Sequence, residues 1–279
     1  MTLEVIAPGA LTLVEDLGRE HPEWGIAMSG AADRGALALA NRLVGNAPSA
    51  AALECLLGGL RLRCNASMVL AVTGADCAIT VNGAPRDSHI AFTVSAGDEL
   101  ALAPAQHGLR AYLGVRGGIA CEQVLGSRSR DVLALIGPPP LAVGDVLNVG
   151  NDIEGPAWFD HVAVATAPSP VVVRVSEGPR IGWFDNPSAL SEHTWTVRSE
   201  SDRTALRLQG EPLARRAGDV ASEPTLVGAV QVPPDGQPII LGPDSGVSGG
   251  YPVIAVVWSD DLDLLAQRRP GDTLRLRWA

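Results

Sequence analysis

SMVLAVTGADCAITVNG, residues 67–83, decides the class of fold. It holds two short runs rich in aliphatic and β-branched residues, SMVLAVTG (67–74) and DCAITVNG (76–83), each closed by a glycine. Short apolar runs punctuated in this way read as strand and turn. Working outward, the same grammar recurs in HIAFTV (89–94), PVVVRVSEG (170–178) and PIILG (238–242). With 31 glycines and 21 prolines in 279 residues, the spacing predicts a mainly β architecture, a barrel or sandwich rather than a doubly wound sheet.

Helices are few in this pattern. DRGALALANRLVGN puts Ala36, Leu37, Ala40, Leu43 and Val44 on one face, with Asp33 as cap and Gly45-Asn46 as stop. Two shorter helices are expected in DNPSALSEH, capped by Asn186 with Pro187 at the first helical position, and in SDDLDLLAQ, capped by Ser259. A turn motif, x-G-D-x-L-x-[LV], occurs in SAGDELAL (95–102), AVGDVLNV (142–149) and RPGDTLRL (269–276). Each copy reads as a tight turn feeding a strand with alternating apolar residues. The helix signal and the LLGGLRLR and RLQGEPLARR segments recur at one offset, Asp33 to Asp185 and Gly58 to Gly210, which hints at a duplicated barrel. Pro and Ala accumulate in 151–170, an expected linker.

Composition narrows the function. A formal charge of −10 gives no basic footprint for nucleic acid and no attraction to anionic membrane. The first residues show no basic, then apolar, leader pattern, and no apolar run reaches spanning length; a cytoplasmic protein is expected. Cys55, Cys64, Cys77 and Cys121 have no metal-ligand spacing and are expected as free thiols. All 21 basic residues are arginine. Without lysine the chain offers no Schiff-base, P-loop or biotinyl amine; its arginines clamp anions but do not act as bases.

GVSGGYPVIAVV (246–257) matches the G-x-S-x-G of a nucleophile elbow at Ser248. That elbow needs a helix after the turn, whereas PVIAVV reads as a strand, and no histidine follows Ser248. The expected role is a glycine-rich corner rather than a nucleophile. Three polar clusters fall at turns. SGAADR (29–34) places Ser29, Gly30, Asp33 and Arg34 at a helix start, where backbone N–H groups attract anions. SESDRTALRLQG (199–210) carries Asp202-Arg203, and QVPPDGQPIILGPDSGVSGGYP (231–252) carries Gln231, Asp235, Gln237, Asp244 and Tyr251. Arg34 and Arg203 suit a carboxylate or phosphate, and the amides of Gln231 and Gln237 suit an amide or lactam. Each acid–arginine pair also fits a structural cap and ion pair. Glu54, flanked by apolar residues in AALECLLGG, is a candidate buried acid–base group or a structural acid paired with arginine.

APGALTLVEDLGR, MSGAADRGALALANRLVGN, AALECLLGGLRLR, LGVRGG, VLGSRSRD, SDRTALRLQGEPL, GAVQVPPDGQPIIL and SGGYPVIAVV together resemble the biotin-dependent carboxyltransferase family. That family takes in allophanate hydrolase subunit 2-like proteins, the C subunits of bacterial 5-oxoprolinase and an antagonist of a sporulation kinase inhibitor. The resemblance implies two cyclophilin-like β-barrel domains with a few short helices, over residues 1–155 and 156–279. It implies a subunit 1-type partner protein (the B subunit) and a LamB/YcsF-like protein (the A subunit), with ATP and Mg2+ bound by the complex. Such a complex would open 5-oxoproline to glutamate. Carboxyl transfer to urea is the alternative, and binding without turnover a third reading; the missing lysine, hence no covalent biotin on this chain, favours the first. Glu54, Asp33 and Asp202 are then acid–base candidates. Ser29, Gly30, Arg34, Asn41, Arg203, Gln231, Gln237, Gly249, Gly250 and Tyr251 are candidates for binding a small anionic substrate. The chain departs from many relatives at Val253, where a lysine is common, and at Ser248, where a threonine is common.

Overall fold

A computed structural model describes residues 1–164, 170–218 and 220–279. By its contacts the chain forms two compact units, Met1–Glu20 with Ser29–Asp131 and Leu135–Ala165, and His21–Met28 with Val132–Ala134 and Thr166–Ala279. Part of the expected linker, residues 165–169, lies outside the described residues.

In the first unit a seven-stranded sheet runs in the order Ile119–Ala120, Val146–Val149, Thr2–Pro8, Leu60–Cys64, Glu99–Leu102, Ile79–Val81, Ala84–Arg86. A five-stranded sheet runs Leu11–Glu15, Ala52–Leu56, His107–Val115, Met68–Asp76, Ala91–Val94. Strand alternation sorts the side chains. In Leu60–Cys64, Leu60, Leu62 and Cys64 point inward while Arg61 and Arg63 point out. These inward residues meet Leu53, Leu70, Val72 and Leu113 of the other sheet in one core. Ala52–Leu56 has no such alternation, because both of its faces are covered. Leu53 and Cys55 face the core, whereas Ala52 packs with Ala36, Leu37, Ala40 and Tyr112 beneath the helix Arg34–Val44.

That helix begins and ends where the sequence places it. The Asp33 carboxylate accepts from the Ala36 N–H at 2.8 Å, and Gly45 takes the left-handed conformation (φ 73°) as its N–H returns to Arg42 O. Gly114 is needed where helix meets sheet, since a Cβ there would lie 2.8 Å from Ala40 O. Thr73 Oγ1 donates to Ala36 O at 2.7 Å from the same sheet.

The second unit is a closed barrel of Val171–Glu177, Val253–Val257, Ala229–Gln231, Ile239–Leu241, Ala205–Gln209, Trp195–Val197 and Thr273–Trp278. Its one parallel pairing, Val171↔Leu274 through Val175↔Trp278, closes the ring. Val171, Val173, Val175, Leu274, Leu276 and Ile254 fill it around Trp195, whose ring lies against Gly210. Two helix starts differ from expectation. The segment after Asn186 makes a turn, with Ala189 N–H bonding Asn186 O, and the helix itself is Ala189–Glu192. Ser259 opens a 3-10 turn, Ser259–Asp261, and the α-helix follows at Leu262–Ala266. Neither helix makes a side-chain cap bond.

The three G-D motifs adopt one geometry. Gly97, Gly144 and Gly271 have φ of 90°, 89° and 90°. In each turn the aspartate N–H bonds back to the carbonyl three residues earlier, and its carboxylate accepts that residue's N–H: Ser95 at 2.7 Å, Ala142 at 2.7 Å and Arg269 at 2.9 Å. Each turn delivers a strand: Glu99–Leu102, Val146–Val149 and Thr273–Trp278. Glycine at the third position satisfies the positive φ, and the carboxylate ties the turn shut.

Candidate functional site

In the first unit the polar residues gather between helix and sheet. Tyr112, one strand over from Glu54 and paired with it in register, donates its hydroxyl to Glu54 Oε2 at 2.6 Å. Ala32 N–H donates to the same oxygen at 2.9 Å, and Arg110 Nε lies 3.3 Å from Oε1. Tyr112 Oη also accepts the Asp33 N–H at 2.8 Å. Burial first, then the charges of Glu54 and Asp33, push the tyrosine hydroxyl well above its ordinary range, so it remains a donor. Glu54 is therefore a carboxylate surrounded by donors, and the cluster holds the loop entering the helix. Asp33 is the helix cap, so its own carboxylate occupies the N-terminus expected to attract an anion.

Asn41, fully buried, donates to Ala50 O at 2.7 Å and accepts from Asn46 Nδ2 at 3.2 Å; it pins the helix to the following loop. Arg34 is exposed, with Nη2 3.3 Å from Leu17 O. Ser29 (φ 55°) and Gly30 (φ 85°) turn the chain so closely over Leu17 and Gly18 that a Cβ on Gly30 would sit 2.7 Å from Gly18 N. The Ser29 hydroxyl is buried there without a hydrogen-bond partner. Nearby, Asp16 accepts from the hydroxyls of Ser127 and Ser129, both at 2.6 Å, and the Arg128 N–H at 2.6 Å. The sequence stretches EDLG and GSRSRD thus make one buried joint.

In the second unit, Asp202 is a turn residue: its Oδ1 accepts from Thr204 N at 2.8 Å and Ala205 N at 3.1 Å. Arg203 is turned inward. Its Nε and Nη2 lie 2.7 and 3.2 Å from the two oxygens of Asp244, with side chains only 4% and 0% exposed. Sequence reasoning flagged both residues but not their pairing, 41 positions apart. Gln237 is also engaged, its amide bonding both N–H and C=O of Gly210 at 2.8 and 3.1 Å.

Gln231 differs. It is buried in the strand Ala229–Gln231, yet its amide Nε2 has no hydrogen-bond partner. It lies beneath Gly249, where a Cβ would come within 2.7 Å of that nitrogen. Gly249 pairs with Glu223, Gly250 O accepts the Val220 N–H at 3.1 Å, and Tyr251 stands 39% exposed beside them. Glu223 in turn holds Arg180, Nη2 to Oε2 at 2.7 Å. The arrangement offers a buried amide donor, a glycine turn above it and an ion pair at its edge, groups that suit a small polar ligand with a carbonyl. Arg180, Glu223 and Tyr112 were not singled out from sequence; their partners lie 43 or 58 positions away, and no local pattern marks them. Ser248 is exposed in the two-residue strand Ser248–Gly249, with a strand rather than a helix following at Val253–Val257. That is the geometry of a corner, not of an elbow. Among the described residues no cluster of three His, Cys, Asp or Glu could hold a metal.

Comparison with known proteins fits this geometry. The sequence profile of the carboxyltransferase domain, subdomain A and B, matches residues 24–278. The C subunit of 5-oxoprolinase from Haemophilus influenzae is 35% identical over 98% of this chain and 90% of its own, and that from Escherichia coli is 37% identical over 95% and 87%. The urea amidolyase structure from K. lactis superposes with a TM-score of 0.91 at 29% identity, covering 99% of this chain and 18% of that one. Another crystal structure, 34% identical with a TM-score of 0.90, is matched over 56% of its length. The chain belongs to the carboxyltransferase family of subdomains A and B.

Proposed function

We propose that this chain is the C subunit of an ATP-dependent 5-oxoprolinase, inactive alone. It works with a subunit 1-type partner, the B subunit, and a LamB/YcsF-like partner, the A subunit, to open 5-oxoproline to glutamate. Water supplies the new carboxylate oxygen as the ring C–N bond breaks, and the ring nitrogen leaves as the amine. The observation that carries the reading is Gln231. An amide donor buried without a partner costs roughly 1–3 kcal/mol, a cost that a ligand carbonyl removes by accepting its N–H. The substrate's lactam oxygen is such an acceptor, and glycine at 249 keeps a Cβ from pressing on the amide. Near-full-length similarity to proteins named as C subunits of 5-oxoprolinase supports the same reading.

The helix start that the sequence offers for an anion does not suit ATP phosphates or their Mg2+. The Arg34–Val44 helix begins at the Asp33 carboxylate, which repels phosphate, and among the described residues no acidic cluster is suited to a cation. ATP with Mg2+ is bound by the assembled complex in this reading, to which this chain contributes substrate contacts. Four unbridged thiols agree with a cytoplasmic complex. The test is to purify the chain with both partners and measure ATP-dependent glutamate release from 5-oxoproline. Release supports the proposal; its absence from a folded, assembled complex overturns it, and carboxyl transfer to urea in the same assay would favour the other branch of the family.

A further inference from the structure

We propose that Arg180 recognises the substrate's carboxylate by exchanging Glu223 for it. This rests on the reading of the Gln231 turn as facing substrate. The backbone brings the groups together: Arg180 N–H donates to Val253 O at 3.0 Å, Val253 pairs in register with Gln231, and Glu223 pairs with Gly249. Arg180 and Gln231 thus flank the same strand end.

The ion pair is built to open. Arg180 Nη2 and Nε lie 2.7 and 3.2 Å from Glu223 Oε2, a forked contact, but the side chains are 40% and 20% exposed. Water screens a pair in that setting, so parting it costs little. Arg203–Asp244, with both side chains buried, cannot open without stranding a charge. The Arg174 guanidinium is held by three contacts, two to the Asp261 carboxylate and one cation–π contact with Trp258 at 4.7 Å. Glu223 keeps the Arg180 guanidinium in the orientation a carboxylate requires, so the ligand meets a preorganised fork. A 5-oxoproline carbonyl on Gln231 leaves its carboxylate to Arg180, and Glu223 swings to solvent.

The test uses the assembled complex, with binding of 5-oxoproline and of 2-pyrrolidinone, which lacks the carboxylate, measured by calorimetry without ATP. Arg180→Gln should weaken 5-oxoproline about 10- to 100-fold relative to 2-pyrrolidinone, the size of a charged hydrogen bond. Glu223→Gln should instead tighten 5-oxoproline, up to about fivefold, because the competing carboxylate is gone. Opposite signs are the signature, since a merely structural ion pair would weaken both variants alike, and that result overturns the proposal. Arg180→Lys, which keeps the charge without the fork, should fall between Arg180→Gln and the parent; parent-like affinity for 5-oxoproline in Arg180→Gln also overturns it. Carboxylate-dependent binding without glutamate release would refute the oxoprolinase reading and leave the exchange standing. Normal release with unchanged KM in Arg180→Gln would do the reverse.

Discussion

Arg203→Ala offers the sharpest separation of structure from function. The guanidinium forks onto Asp244 at 2.7 and 3.2 Å, and Asp244 is wholly buried. Truncating the arginine leaves that carboxylate in the interior with the Val132 N–H, at 3.3 Å, as a weak companion. Breaking a buried pair from one side costs about 3–5 kcal/mol. At roughly 3 °C per kcal/mol for a domain of this size, the melting temperature should fall by about 10–15 °C. Replacing both residues, Arg203→Met with Asp244→Leu, removes the stranded charge and should restore most of the loss. The assay is urea unfolding followed by circular dichroism, with midpoint and slope fitted together so that a change in stability is separated from a change in cooperativity. If Arg203→Ala keeps the parent midpoint while the assembled complex loses activity, the buried-pair reasoning is wrong and Arg203 contacts substrate.

Ser248→Ala, at an exposed corner, should leave both stability and turnover of the complex within about twofold of the parent; complete loss of glutamate release would restore the nucleophile reading. Gly249→Ala should displace the Gln231 amide and raise KM for 5-oxoproline with a smaller change in urea midpoint, since a Cβ would lie 2.7 Å from Nε2; an unchanged KM would place the substrate elsewhere. Asp261, hydrogen-bonded by the Arg174 side chain and N–H, titrates below its ordinary 3.8. Its stabilisation is complete above the unfolded-state value and is lost as pH falls through the lower folded value. Asp261→Asn should thus flatten the acid limb of a stability-versus-pH curve below about pH 4; an unchanged limb would contradict this. Gly271→Ala at φ 90° should cost about 1 kcal/mol in urea unfolding, despite open space around it, and no loss would show the turn to be pliant.

Local rules carried far where the cause is local. The Asp33 cap, the Gly45 stop and the three G-D turns are each settled within a few residues, and they stand as the sequence suggests. The alternation of Leu60 and Leu62 with Arg61 and Arg63 is local in the same way, though it was not singled out from sequence. Long-range pairings are different. Glu54 had two readings, and Tyr112 and Arg110 on the neighbouring strand, with the Ala32 N–H, decide that it is ringed by donors. Asp202 and Arg203 looked like one acid–arginine pair, but Asp202 closes the turn while Arg203 enters the interior to meet Asp244. Gln231 and Gln237 looked equivalent; the backbone of Gly210 satisfies one amide, whereas the Nε2 of the other has no partner.

The G-D turns carry one more consequence, which concerns handedness rather than size. Gly97, Gly144 and Gly271 hold φ of 90°, 89° and 90°, a sign that L-residues avoid and D-residues favour. D-alanine would take up that φ without strain while narrowing the unfolded ensemble, an expected gain of about 0.4–1 kcal/mol per site. Gly271 sits in the turn that leads into the barrel strand Thr273–Trp278. The mirror-image residue should stabilise the barrel at the very position where its L-counterpart weakens it.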